Sequence, residues 1–337
     1  PRSTLFPYTT LFRSFAFIVC AGSLLGVALN RSGASFPVGK VDFMRLHPVS
    51  FAEYLRATDA KLYASYEMID EVMTVPEVLH EQLTDAYIEY LPLGGMPEAV
   101  SAYLDSRQWS DVATIQDGIL QSYSLDFAKH ISNKDIPRVF QVWANLQDQL
   151  AREDKKFRYA DIKQGARARE YEGAIEWLCL AGLVHRVSAV ETPRLPLSAY
   201  KKSNAFKLYL NDVGLLCRKF GLDPRTAIQG STMFTEFKGV LAENYVLQSL
   251  VRQFGNGQYY WTSGNTAEVE FILQHEGEII PIEVKANRNI TAKSLALYRK
   301  TYSPRLAVRL STQNMRKDND LLNMPLYLVD KLKVFVG

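Results

Sequence analysis

A chain of 337 residues can bury a large core and should divide into about two or three units. With 47% hydrophobic and 22% charged residues, it has the make-up of an ordinary soluble globular protein. Thirty-nine Lys and Arg against 36 Asp and Glu leave a net charge of +3, too small to argue for nucleic acid by itself. Cys20, Cys179 and Cys217 sit singly in apolar surroundings without a C-x-x-C pair, which reads as reduced core thiols and a cytoplasmic setting. His47, His80, His130, His185 and His275 are scattered and argue against a zinc site.

In chain order, residues 1–14 (PRSTLFPYTTLFRS) have no initiator Met and no apolar period. They look like translated sequencing-adaptor read-through and are set aside, which implies that the protein extends upstream. Residues 15–29 (FAFIVCAGSLLGVAL) are shorter than the roughly 20 apolar residues of a membrane helix. The Ala-Gly-Ser interruption predicts a buried parallel strand, FAFIVC, and then a loop or helix, with no membrane anchor. VDFMRL alternates as a strand, and Ser50 caps the helix SFAEYLRA with Glu53 at the capping-box position.

Residues 59–133 read as a helical, lid-like region. It breaks at Leu91-Pro92-Leu93-Gly94-Gly95-Met96-Pro97, where glycines end one helix and Pro97 opens the next. Residues 134–225 suggest a winged helix: an amphipathic helix with Val139, Val142, Trp143 and Leu146 on one side, a short helix, then a longer one through AREYEGAIEWLCLAGLV. LVHRVSAV and NAFKLYLND follow as strands around a wing-like loop, ETPRLPLSAYKKS. Between Arg152 and Glu170, seven Lys or Arg stand against four acids, interleaved with Phe157 and Tyr159. Such a patch suits phosphate contact, a solvated face or a protein adaptor.

Residues 226–337 form the last unit, an α/β one. EFKGVLAENYVLQSLV is a helix with Leu241, Tyr245 and Gln248 on neighbouring turns and Glu243 among apolar residues. YYWTS is a strand leading to EVEFIL and IIPIEVKAN, which read as an antiparallel hairpin around QHEGE. Alternation puts Glu268 and Glu270 on a face opposite Val269 and Phe271, and Glu283 and Lys285 opposite Ile282 and Val284. KSLALYRKTYSP is then a helix, RLAVRLS a strand, and MPLYLVDKLKVFV the strand that closes the sheet. Carboxylates beside a lysine on one sheet surface can hold Mg²⁺ next to a phosphodiester and order an attacking water. A hairpin also carries such charges simply because its outer face is solvated.

A helix acid, a strand acid and E-x-K, in the order Glu243, Glu270, Glu283, Lys285, resemble the PD-(D/E)XK restriction-endonuclease-like fold. Glu270 stands where that pattern usually has Asp, so nuclease-like architecture is a stronger expectation than nuclease activity. The strand before Ala21-Gly22-Ser23 resembles the sensor-1 region of AAA-type ATPases, and GGMPEAV resembles a G-x-P turn that lies against the nucleotide base in related ATPases. With AGSLLGVAL, SFPVGKVDF, LHPVSFAEYL, GARAREYEGAIEWL, FKLYLNDVGLL, GVLAENYVLQSL and PIEVKAN, these motifs resemble one group from Phe15 to the end. It is the prokaryotic AAA-type ATP-binding proteins with a C-terminal restriction-endonuclease-like domain of unknown function.

The resemblance implies an α/β multidomain chain. Residues 15–58 would be a remnant of the ATPase core, 59–133 the helical region, 134–225 the winged-helix part and 226–337 the nuclease-like domain. It implies ATP and Mg in the complete protein, with Ser23 near the γ-phosphate and Gly95 and Pro97 near the base. No G-x-x-x-x-G-K-[ST] loop occurs here, so tight ATP binding and hydrolysis are not expected of this chain alone. Three functions follow. The first is an ATP-driven switch coupled to a nuclease-like module. The second is a metal-dependent nuclease with Mg on Glu270 and Glu283, Lys285 positioning water and Glu243 assisting. The third is a non-catalytic module that binds DNA or a partner protein.

Overall fold

The computed structural model describes residues 42–131, 135–225, 232–264, 267–286 and 293–337. The expected strand FAFIVC and Ser23 lie outside them. The architecture is mixed α/β, helical in its N-terminal part and then built on one mixed sheet of eight strands. Helices α1 (Phe51–Thr58), α2 (Ala60–Glu67), α3 (Glu77–Leu93), α4 (Pro97–Ser106), α5 (Trp109–His130), α6 (Ile136–Leu150), α7 (Tyr159–Ile162) and α8 (Ala168–Leu180) come first. Strands β1 (Val184–Val190) and β2 (Lys201–Leu210) then lead to α9 (Val213–Lys219) and the long α10 (Thr232–Phe254). The rest is β3 (Tyr259–Thr262), β4 (Glu268–His275), β5 (Glu278–Lys285), α11 (Lys293–Tyr302), β6 (Ala307–Ser311), β7 (Arg316–Asp318), β8 (Leu321–Pro325) and, after a 3-10 turn, α12 (Leu332–Val336).

Local signals explain several ends. Ser50 and Glu53 form the expected capping box at α1, the Glu53 carboxylate accepting the Ser50 N–H at 2.8 Å. The segment VDFMRL does not form the expected strand. Its described residues, 42–46, are irregular, and Phe43, Met44 and Leu46 are exposed, so alternation there has no strand among the described residues to satisfy it. The tail differs as well. Only Met324 and Pro325 of MPLYLVDKLKVFV lie in a strand, and Leu326–Lys331 coil into a 3-10 turn that buries Leu326, Tyr327, Leu328 and Val329. Its long apolar run suits burial from all sides in either conformation, which periodicity alone cannot separate.

The strand order is β2-β1-β3-β4-β5-β6-β8-β7. Strand β1 pairs antiparallel with β2 and parallel with β3, so the two strands expected to flank a wing continue into the sheet expected of the next unit. The sheet therefore crosses the boundary expected at residues 225 and 226. One hydrophobic core runs from Phe51 to Val336, and a second, around Trp261, Val269, Leu295 and Tyr298, lies on the α11 side.

The helical part is locked to this sheet at the Gly94–Gly95 turn. Gly94 adopts φ +68°, and the Gly95 N–H donates to the Asp212 carboxylate at 2.7 Å. Asp212 also caps α9 by accepting the Leu215 N–H at 2.9 Å, so one buried carboxylate serves two chain segments. The open carbonyls at the end of α3, those of Pro92 and Leu93, accept from the Gln116 side chain at 3.0 Å. Backbones approach so closely that a Cβ on Gly95 would lie 2.3 Å from the Val49 carbonyl oxygen, and one on Gly214 would lie 2.5 Å from that of Leu93. Gly95→Ala and Gly214→Ala should each destabilise the fold by about 1–3 kcal/mol, the usual cost of overpacking. Gly118→Ala, on an open face of α5, should be neutral or stabilising by up to about 1 kcal/mol. Urea unfolding of the three variants checks the contrast, and equal effects would contradict it.

Candidate functional site

The sequence-predicted acids and lysine come together. Lys285 Nζ lies 2.6 Å from a Glu283 carboxylate oxygen and 3.5 Å from Glu270. Glu283 and Lys285 share one side of β5 while Ile282 and Val284 enter the main core, as alternation expects. Glu243 reaches the same region from α10, where it is buried and accepts the Tyr209 hydroxyl of β2 at 3.0 Å. Its neighbour Asn244 holds the end of β2 by accepting the Leu210 N–H at 2.9 Å and donating to the Leu210 carbonyl at 3.1 Å. Glu243 is thus positioned by a helix pinned to the strand it faces.

Glu270 is placed by a feature that simple alternation does not predict. Between Val269 and Ile272 the register of β4 against β3 slips, and Val269 and Phe271, expected on one face, enter different cores. Such a bulge re-aims the side chains around it. The Glu270 carboxylate accepts the Val284 N–H of β5 at 3.2 Å, replacing a backbone partner where the two strands part.

Four further cations surround the cluster. Lys155, from the loop between α6 and α7, lies 3.1 Å from Glu243. Lys207, on β2 and 1% exposed, pairs with Glu268, and the more exposed Lys156 stands 3.9 Å from Glu268 at the rim. Arg309, aligned with Glu283 across β5 and β6, keeps its Nε buried without a hydrogen-bond partner, and so does one carboxylate oxygen of Glu283. A buried, unpartnered carboxylate oxygen is costly and marks a place for a further cation or donor. Residue patterns pointed to neither Lys155 nor Arg309. Lys207 had a signal, a lone lysine inside the apolar run AFKLYL.

These surroundings set the protonation states. Burial, then the neighbouring Glu283 and Glu243 carboxylates, push the Glu270 carboxyl up to about 8. Burial works the same way on Glu243, but the ammonium groups of Lys155 and Lys207 outweigh it and hold Glu243 below the ordinary carboxylate range. The Lys285 ammonium is disfavoured by burial, yet Glu270 and Glu283 raise its value above the usual one. A cleft of about 490 Å³ opens beside Glu268, lined by Arg152, Lys156, Arg158, Thr262 and Ser294 among others.

The residues expected near a nucleotide base lie at the helical turn. Gly95 has both backbone polar groups engaged within the chain, donating to Asp212 and accepting from Val49, and Pro97 occupies the first turn of α4. Among the described residues, no group of three or more His, Cys, Asp or Glu is arranged to hold a metal ion. A magnesium ion at Glu270 and Glu283 would accordingly rest on two carboxylates and water, a set that this ion accepts. The unpartnered Glu283 oxygen fits such an ion, whereas Glu270 would first have to release its proton. Among the described residues, Cys217 is buried and Cys179 half-buried, both as free thiols, and no helix is long and apolar enough to cross a membrane.

Two family models match. Residues 84–226 match a domain of unknown function (DUF8612), and residues 238–328 match another (DUF4143). The eight-stranded sheet draws on both stretches, β1 and β2 from the first and β3 to β8 from the second. An uncharacterized protein of Mycobacterium tuberculosis and one of Mycobacterium bovis are each 25% identical to this chain over 197 residues. The matched segment is 57% of this chain and 41% of each relative, so the chain spans about two fifths of the curated relatives it matches. No solved structure matches.

A carboxyl whose folded value is raised binds its proton more tightly in the folded than in the unfolded chain. Its contribution to stability is therefore full below the ordinary value of 4.5 and is lost as pH rises through about 8. Glu270→Gln removes that loss. The variant should gain stability relative to the parent chain between pH of about 5 and 8 and level off above. Chemical unfolding across that range reads the difference, and a pH-independent difference would contradict the assignment.

Proposed function

We propose that this chain is the effector part of an AAA-type ATP-binding protein, and that its sheet cluster addresses the phosphodiester backbone of nucleic acid. The observation that carries the second half is the meeting of Glu243, Glu270, Glu283 and Lys285 around a buried, unpartnered Glu283 oxygen. Two things support the first half: the motifs shared with AAA-type proteins and the match to DUF4143, a family found in AAA-ATPase-associated proteins. ATP with its Mg would bind in the part of the protein that includes Ser23, outside the described residues. Because the Gly94–Gly95 turn is fixed to Asp212 and α9, a displacement of the helical part would be carried to the sheet without slack.

In the nuclease-like form of this reading, Glu270 and Glu283 would hold a divalent cation, which would supply Lewis-acid polarisation of a phosphoryl oxygen. Lys285 donates hydrogen bonds to the attacking water and keeps Glu283 oriented. Arg309, aligned with Glu283 across β5 and β6, would add positive charge beside the cluster. Glu243 orients the cluster from α10. The longer arm of Glu270, relative to aspartate, reaches the β5 backbone at Val284. Deprotonating it frees that side chain for a cation.

A specific observation favours a second reading, a non-catalytic module that binds DNA or a partner protein on the same scaffold. The acids of the cluster are already met by lysines of this chain, Lys155 on Glu243, Lys207 on Glu268 and Lys285 on Glu283. One experiment separates the two. With Mn²⁺ present, the chain should nick supercoiled plasmid, and Lys285→Ala should lower the rate by about 100-fold or more. Salt-sensitive retention of DNA without nicking would move the conclusion to the second reading. Nicking that survives Lys285→Ala would contradict the assigned role of the lysine.

A further inference from the structure

Lys155 is the cluster member that does not belong to the sheet. It sits in the loop 151–158 between α6 and α7, yet its ammonium group lies 3.1 Å from Glu243 and its side chain is only 17% exposed. The backbone at Lys155 adopts φ +51°, in the left-handed region that an L-residue with a long side chain rarely takes. That conformation accompanies the turn of the side chain inward, away from the solvent a surface lysine would seek.

The loop is anchored on the core at its Phe157 end, while the rest is held by more exposed ion pairs, Arg152 with Asp161 at 3.1 Å and Asp154 with Arg158 at 2.5 Å. Phe157 is buried, its N–H donates to the Phe206 carbonyl at 2.9 Å, and its ring stacks on Phe206 with centroids 5.2 Å apart. The Arg158 N–H donates to the Gln149 side chain at 2.6 Å. Arg152, Glu153, Asp154, Lys156 and the Arg158 side chain line the cleft beside Glu268. The tip that carries Lys155 therefore has open volume next to it. Glu243 keeps a second partner, the Tyr209 hydroxyl, so the acid stays in place if the lysine leaves.

We propose that Lys155 is a tethered cation plug: its ammonium group sits on Glu243 at the edge of the carboxylate cluster, and a divalent cation binds tightly at Glu270 and Glu283 only as the loop tip withdraws. This rests on the reading of the cluster as a cation site. Two cations in one buried carboxylate field repel each other, and each neutralises the charge that attracts the other. The plug also explains how acids suited to a metal are kept neutralised without one. Whatever displaces the loop tip, such as a nucleic-acid strand laid in the cleft, would open the site.

Mn²⁺ titration by calorimetry on the full chain tests the idea, with Lys155→Met, Glu283→Gln and the double variant alongside. Lys155→Met should bind Mn²⁺ about tenfold tighter than the parent chain or better. Adding Glu283→Gln should abolish the gain. Arg152→Met, which removes a positive charge from the same loop, should change affinity by less than about threefold. A second readout does not depend on any variant folding: saturating Mn²⁺ should speed amide hydrogen exchange in residues 152–156 of the parent chain.

If Lys155→Met binds no tighter while Glu283→Gln weakens binding by the parent chain, the plug is wrong and the cation site stands. Unchanged exchange at 152–156 in saturating Mn²⁺ overturns the plug in the same way. Absence of Mn²⁺ binding in both the parent chain and Lys155→Met overturns the plug together with the cation site beneath it.

Discussion

Carboxylates can share the interior of one sheet only if something cancels their charge, and here that constraint is met by lysines from distant parts of the chain. Glu243 comes from α10, Glu268 and Glu270 from β4, and Glu283 from β5. Their partners come from the α6–α7 loop, β2 and β5. An unpaired buried charge costs several times what a surface ion pair gains, so each element must be in place before the others are tolerated. The cluster thereby couples the strands expected of a winged helix to those expected of a nuclease-like unit. The shared sheet is the geometric form of that coupling.

A second joint holds the helical part to this frame. The backbones of Gly94 and Gly214 pack directly on one another, and the Asp212 carboxylate satisfies N–H groups from both sides of the contact. Burial raises the Asp212 carboxyl to about 6, against the pull of the backbone N–H groups it accepts. At the other end, Asp330 accepts from Ser249 on α10 at 2.6 Å and from the Ala52 N–H of α1 at 3.2 Å, and it pairs with Arg252 at 3.0 Å. Helical part, long helix and chain end are thus tied by polar contacts chosen for geometry as much as for energy. Parts joined this way are held in fixed relation to one another, which the proposed effector role would require.

Much of this was legible in the sequence where the signal is local. The hairpin of β4 and β5, the pairing of Glu283 with Lys285, the Ser50–Glu53 cap and the break at Gly94–Gly95 all follow from alternation, capping and glycine chemistry within a few residues. The misses are those where tertiary partners decide. VDFMRL alternates but has no described strand to pair with, and the apolar tail could be buried as strand or as 3-10 turn. The bulge at Glu270 involves neither Gly nor Pro, so nothing local announces it. Lys155 lies 88 positions before Glu243, in a run of mixed charges that reads equally well as a solvated face.

The account depends most on a cation position existing between Glu270 and Glu283, and diffraction from crystals soaked in Mn²⁺ measures that directly. An anomalous peak within coordination distance of both carboxylates, with the Lys155 ammonium group drawn off Glu243, is the predicted result. Crystals that show no peak there, with Lys155 still seated on Glu243 at saturating Mn²⁺, would contradict it.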